Sequence, residues 1–273
     1  MQRTLNLLPV FVAILCGGCS QYAYYQSPSH TNTNGYKAMP LHSENKKSAF
    51  YGGVAIAAGE ANENRRDEFF AFSGEIHRAQ KFGSFQTFYG INGTLGNYQV
   101  NSYSPQYYGN YNPYNRNLND TLLNKLTGNK FFATLGLSGG ISVVQPFAKG
   151  GEWRILGLEY NLQHEFGDYL SFRKELPVTA ANLIDYKKNY STFSITTDII
   201  GKIDNVSFGY KIALGITPYK LTYYNENSEP SLVQPANFSQ TLHFTLKRLT
   251  GYVQANSGYI AWNAQLGINY RLR

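Results

Sequence analysis

The chain has 273 residues, of which 42% are hydrophobic, 15% aromatic and 15% charged, with a formal net charge of +7. So small a charged fraction excludes a disordered chain and a long charged helix or coiled coil. Mean hydropathy is −0.36, and after the N-terminus no apolar run reaches membrane-helix length, which excludes a polytopic helical membrane protein. The 23 Tyr and 26 Gly, with many short alternating segments, point to an all-β protein.

Residues 1–18 read as an export signal. Arg3 is the lone charge, residues 5–15 are mostly apolar, and the small Gly17 and Gly18 follow. The apolar core is too short for a permanent helical anchor. Leu15-Cys16-Gly17-Gly18-Cys19-Ser20 resembles the lipobox of bacterial lipoproteins, in which a small residue precedes a Cys that is diacylated and becomes the new N-terminus. Cys16 departs from that pattern, since it stands where the family usually has Leu. The plainer alternative is an ordinary signal cut near Gly18, with Cys19 incidental. Both cysteines lie in this segment, so residues 20–273 hold no disulfide and no Cys metal site. The resemblance implies acyl (palmitate) chains at Cys19, each buried methylene contributing about 0.8 kcal/mol to membrane attachment. Residues 19–47 are rich in Pro, Ser, Asn and Gly without an apolar period, and read as a lipidated flexible tether. No acidic cluster follows Cys19, which favours the inner, periplasm-facing leaflet.

Residues 48–273 repeat a period-two alternation. Phe208, Tyr210, Ile212, Leu214 and Ile216 form one face of a strand, and Ser207, Gly209, Lys211, Ala213 and Gly215 the other. The set Phe131, Ala133, Leu135, Leu137, Ile141 and Val143 behaves alike, as does Ile260, Trp262, Ala264, Leu266, Ile268, Tyr270 and Leu272. A soluble sandwich also alternates, but its outer face carries Lys, Glu and Thr. Here the second face is Gly, Ser, Ala, Thr and Asn, which suits the inside of a narrow closed barrel. Aromatics near segment ends (Phe50, Tyr51, Tyr160, Tyr219, Tyr223, Tyr224, Tyr259, Trp262) fit interfacial girdles. The expected fold is an eight-stranded antiparallel transmembrane up-and-down barrel, with strands at 48–59, 68–80, 84–100, 130–146, 152–172, 190–203, 206–225 and 258–272. Short connections at 81–83, 148–152 and 202–205 alternate with long ones at 60–67, 101–129, 173–189 and 226–257. By the rule for such barrels, short turns are periplasmic and long loops external, so both termini are expected in the periplasm. The ambiguous stretch is 239–254. Leu242, Phe244 and Leu246 alternate like a strand, whereas Leu242, Leu246, Leu249 and Val253 recur like a helix. It is placed in the fourth external loop, with ten strands as the alternative. The Tyr- and Asn-rich loop 101–129 is either a binding surface or a solvated cap.

The last strand reads Gln265-Leu266-Gly267-Ile268-Asn269-Tyr270-Arg271-Leu272. It resembles the C-terminal signal of outer-membrane barrels, with Gln265, Gly267, Tyr270 and Leu272 at the polar, glycine, aromatic and hydrophobic positions. The departure is the trailing Arg273. The resemblance is to small outer-membrane barrels of the OmpA/OmpX type, here with a lipoprotein signal. It implies an outer-membrane location in a Gram-negative bacterium, outer-membrane lipid as surroundings, and the barrel-assembly machinery as a partner during biogenesis.

Glu75, His77, Glu159, Gln163, Glu165, Asp198 and Lys211 share inward-facing positions. Charges inside a small barrel must be paired or hydrogen-bonded, so they are expected to form a polar network, with Lys211 on one of the carboxylates. The rival is a lipid-modifying enzyme using Ser73, Glu75 and His77 as nucleophile, acid and base. That set would line the lumen, whereas such chemistry needs the membrane-facing wall, so no catalytic residue is assigned. The five His are scattered without ligand spacing, and no phosphate loop or dinucleotide motif is present, so no metal or cofactor is expected. Arg65-Arg66 and Lys187-Lys188 are basic pairs in loops, and nothing supports nucleic-acid binding. The expected role is non-enzymatic: a lipid-anchored structural or accessory subunit of a larger outer-membrane complex for assembly, secretion or uptake. A small-solute channel is the third possibility.

Overall fold

A computed structural model describes residues 24–30, 35–44, 46–61, 67–101, 126–147, 150–176, 183–223, 230–258 and 261–273. The export signal, Cys19, Arg65-Arg66 and most of the loop 101–129 lie outside the described residues. Ten strands form a closed antiparallel barrel: β1 Ser48–Ala61, β2 Asp67–Phe82, β3 Phe85–Val100, β4 Gly128–Pro146, β5 Glu152–Phe166, β6 Asn189–Ile203, β7 Val206–Ile216, β8 Ala236–Leu246, β9 Leu249–Gly258 and β10 Ala261–Arg271. Each pairs with the next, and β10 pairs with β1 to close the ring. The N-terminal half has the longer strands, 14 to 19 residues in β1–β5, against 10 or 11 in β7–β10.

The eight expected strands are all present, but the barrel has ten, because 239–254 forms the hairpin β8–β9 rather than a helix or loop extension. Leu246 pairs with Leu249 across the two-residue turn Lys247-Arg248, and Lys247 takes a positive φ of 54°. That turn leaves Leu242, Phe244, Leu246, Leu249 and Val253 all on the outer wall. The three-residue step from Leu246 to Leu249 is what imitates a helical period. Two other expected strands are shorter than drawn. Residues 152–172 divide into β5 and helix α1, Asp168–Glu175, at Gly167 with φ 116°. Residues 206–225 end as barrel strand at Ile216, and Leu221–Tyr223 instead pairs with Ser231–Val233 in a small hairpin. Tight turns join β2 to β3, β6 to β7 and β8 to β9 at one end, here the turn end. The long connections, α1 and the small hairpin stand at the other, the loop end.

The outer wall is apolar from end to end. Ile91, Leu135, Leu158, Ile195, Leu242 and Leu266 are all exposed along its middle. Phe82, Phe85, Trp153, Phe208 and Tyr270 ring the turn end, and Phe70, Phe131, Phe166, Phe193 and Trp262 the loop end. A belt of this continuity flanked by aromatics is the surface of a transmembrane barrel. Of the aromatics expected in girdles, Phe50 and Trp262 face outward, but Tyr51 is buried inside, stacked on His77 with ring centroids 5.1 Å apart. Tyr219 and Tyr223 lie beyond the barrel strands, and Tyr224 and Tyr259 lie outside the described residues.

Candidate functional site: a lumen filled by the N-terminal segment

The stretch read as a tether is, over residues 35–44, packed inside the barrel. Tyr36, Lys37, Ala38 and Leu41 are buried. Residues of this stretch are fixed to β10, β8, β2, β3 and β5. The Tyr36 carbonyl accepts from Asn269 Nδ2 of β10 at 2.7 Å, and its ring stacks on His243 of β8 at 4.0 Å. The Lys37 ammonium meets the Glu75 carboxylate of β2. The Ala38 carbonyl lies 2.9 Å from His77 Nε2, and the Pro40 carbonyl accepts from Gln86 Nε2 of β3 at 3.1 Å. Lys81 Nζ donates to the carbonyls of Leu41 and Glu44, both at 2.7 Å. The His42 amide donates to Glu152 Oε2 at 2.7 Å, and Glu44 pairs with Arg271.

Arg154 is the centre of this arrangement. Its Nη1 donates to Asp198 Oδ2 at 2.8 Å and to the Tyr36 hydroxyl at 3.2 Å. Its Nε donates to Gln86 Oε1 at 2.8 Å, and Glu152 Oε1 lies 3.0 Å from Nη2. His243 Nε2 takes the other Asp198 oxygen at 3.0 Å. Every member is within 5% of full burial, so the charges survive only because each has its counterpart. Small residues make the space: a Cβ on Gly209 would lie 2.5 Å from the His243 ring, and one on Gly267 would lie 2.3 Å from Tyr252. The cavity left beside Tyr36 and Arg154 is about 20 Å³, room for roughly one water.

The expected inward residues divide among three places. Glu75, His77 and Asp198 bind the N-terminal segment directly or through Arg154. Lys211 Nζ bonds Glu159 Oε1 at 2.5 Å beside that cluster, cross-strand from Asp198 and 6.0 Å from the Tyr36 ring centroid. Gln163 joins Tyr190 and Asn92, and Glu165 pairs with Arg173 of α1 at 2.7 Å, both nearer the loop end. Of the last strand's signal, Gln265 and Gly267 face inward, while Tyr270 and Leu272 are exposed outside. Ser73 does not join His77: its hydroxyl bonds only the Ala55 carbonyl, at 3.5 Å, and four strand residues from His77 is about 13 Å. Among the described residues no group of three His, Asp or Glu is placed to hold a metal ion.

Arg154, Glu152 and Gln86 are the residues that sequence reasoning missed. The pairing of β5 with β6 shifts register between Arg154 and Gly157, and Ile155 and Leu156 are both exposed. This bulge reverses the phase of the alternation, so a strict odd-position count from Glu159 puts Arg154 outside. The readable signal was the pair Glu152 and Arg154, two charges sharing a face at a strand start.

A second closure sits at the loop end. Tyr25 packs with Phe69, Tyr98, Phe132, Tyr169 and Phe172. Tyr98 and Tyr169 stack at 4.1 Å, and Tyr25 meets Phe172 edge-on at 5.3 Å. Burial pushes the Tyr169 hydroxyl above the ordinary tyrosine value, and it donates to the Gln26 carbonyl at 3.1 Å. Burial, with Asp185 beside it, pushes Tyr219 up likewise. Ser27 Oγ donates to the Tyr190 hydroxyl, which donates in turn to Gln163. The Asp185 amide donates to the Tyr25 carbonyl at 2.8 Å, and Tyr24 and Tyr25 pair in parallel with Leu183 and Ile184. Lys187 sits 3.3 Å from the Tyr219 ring centroid.

No protein family and no curated protein matches the chain. Among solved structures, the transport unit of the autotransporter AIDA-I from Escherichia coli shares 11% identity at a TM-score of 0.40, covering 89% of this chain and 96% of that one. An outer membrane channel from Pseudomonas putida F1 shares 7% at 0.42, covering 88% and 99%. The KdgM porin shares 9% at 0.27, covering 81% and 99%. All three are outer-membrane barrels, and likeness at this level assigns no function.

Proposed function

We propose that this chain is a non-enzymatic barrel of a Gram-negative outer membrane, lipid-anchored at Cys19, and a structural or accessory subunit of a larger outer-membrane complex for assembly, secretion or uptake. Its turn end faces the periplasm and its long loops face outside, as short turns and long loops do in such barrels. The observation that carries the reading is the filled lumen. Residues 36–42 are bonded to five strands around the ring, and the cavity beside Tyr36 and Arg154 is only about 20 Å³. A barrel sealed in this way acts through its loops and outer wall, where a partner binds.

Two measurements test it. Purification from the native host in mild detergent is expected to bring down a stoichiometric outer-membrane partner. Intact protein in planar bilayers is expected to be silent. A lone barrel at monomer size with steady conductance overturns the reading in favour of the second one, a small-solute channel. That second reading is favoured by the ten strands, which enclose a lumen wide enough to need a plug.

A further inference from the structure

Of the residues ahead of β1, the stretch 35–44 lies in the barrel toward the turn end and the stretch 24–30 stands at the loop end. Glu44, His42 and Leu41 contact Arg271, Gly83 and Lys81 at the turn end, where β1 begins and Arg273 ends the chain. Tyr36 lies deeper, between Asp198, His243 and Asn269. Tyr25 to Ser29 stand at the loop end, against Ile184, Tyr169 and Tyr190. Tyr25 and Arg273 therefore stand at opposite ends of the barrel.

Chain length decides where the residues ahead of Tyr24 can reach. The 14 residues of β1, at about 3.3 Å each and a tilt near 40°, make a wall about 35 Å tall. From Tyr24 back to Cys19 is five residues, at most about 18 Å of extended chain. That reach covers the loop-end interface and falls short of the opposite one.

We propose that the barrel passes its own N-terminal segment through its lumen, so that Cys19 and the residues after it stand on the outer, cell-surface face of the membrane. This rests on the orientation and lipidation read above. It places acyl chains on Cys19 in the outer leaflet, on the side of the membrane where α1, Tyr25 and the hairpin of Leu221–Tyr223 with Ser231–Val233 stand.

The test is labelling of the full chain in its native host with a membrane-impermeant maleimide. Three single variants are compared with the unmodified chain: Gln21→Cys ahead of the threaded segment, Leu232→Cys at the loop end and Lys46→Cys at the turn end. The expected result is labelling of Gln21→Cys and Leu232→Cys on intact cells, and of Lys46→Cys only after permeabilisation. The unmodified chain stays dark, because a lipid occupies the Cys19 sulfur. Leu232→Cys labelled on intact cells with Gln21→Cys protected overturns the threading. Lys46→Cys labelled on intact cells, with Leu232→Cys and Gln21→Cys protected, overturns the surface placement through the orientation and spares the threading. Labelling of the unmodified chain on intact cells supports the surface placement and removes the lipid.

Discussion

The lumen is closed twice, by opposite chemistry. At the turn end the closure is ionic: Arg154 holds Asp198, Glu152 and Gln86 around Tyr36. At the loop end it is aromatic: Tyr25, Tyr98, Tyr169 and Phe172 pack together, with the Arg173–Glu165 pair beneath. The ionic closure is built mainly from barrel strands, whose positions the sheet fixes. The aromatic one sets Tyr169 and Phe172 of α1 and Tyr25 of the N-terminal arm against Phe69, Tyr98 and Phe132 of the barrel, so half of its rings lie outside the sheet. Buried charge demands exact counterparts and tolerates no loss, whereas an aromatic cluster loses packing in proportion to what is removed. The first should fail abruptly and the second by degrees.

The largest expected effect separates the two directly. Removing residues 35–44 should turn a silent barrel into a conducting one in planar bilayers, while removing residues 24–30 should leave it silent. If both deletions conduct alike, the turn-end closure has no privileged role. Next is Arg154→Met, which strands Asp198 and Glu152 without their cation and should cost about 3–5 kcal/mol in urea unfolding from micelles. Tyr169→Ala should cost about 3 kcal/mol, the low end for a large aromatic, because α1 can settle into the space. Equal losses at the two sites would erase the distinction drawn between them. Lys211→Met should cost less, about 2 kcal/mol, since Glu159 loses its cation but keeps 15% of its side-chain surface exposed. The smallest effect belongs to Ser73→Ala, expected within about 0.5 kcal/mol of the parent. A lipid-hydrolysis assay that Ser73→Ala abolished, with the fold intact, would revive the enzyme reading.

Much of the barrel is legible in the sequence because its physics is local. Alternation with small inward residues gives each long strand its two faces, and a two-residue turn such as Asp204-Asn205 announces a hairpin. Lys247-Arg248 makes an equivalent turn without Gly, Asn or Pro, so β8 and β9 merge into one apolar series that a helix explains as well. The inward run Thr241, His243, Thr245, Thr250, Tyr252 and Gln254 was the better guide, since a solvated loop has no reason to alternate. Glu75, His77, Glu159, Asp198 and Lys211 are legible as inward residues from phase alone. The pairing of Lys211 with a carboxylate is legible as well, but the partners of Glu75, His77 and Asp198 are not, because residues 37–38 and Arg154 reach them from a segment without period and from beyond a bulge. The seat of residues 35–44 is long-range by nature: Tyr36 and Asn269 are 233 positions apart.

The route of the N-terminal segment bears on the order in which the molecule is made. The ring closes where β10 meets β1, and the segment lies across that seam, held by Asn269 on one side and by Glu75 and His77 of β2 on the other. A finished ring presents a lumen already occupied by its own side chains. Passing the segment through it afterwards would mean parting the Arg154 cluster in a medium with no water to take its charges. Laid down first, the same segment is a mandrel. In that order the sheet would close around it at the seam of β1 with β10, the strand that holds Gln265, Gly267 and Tyr270.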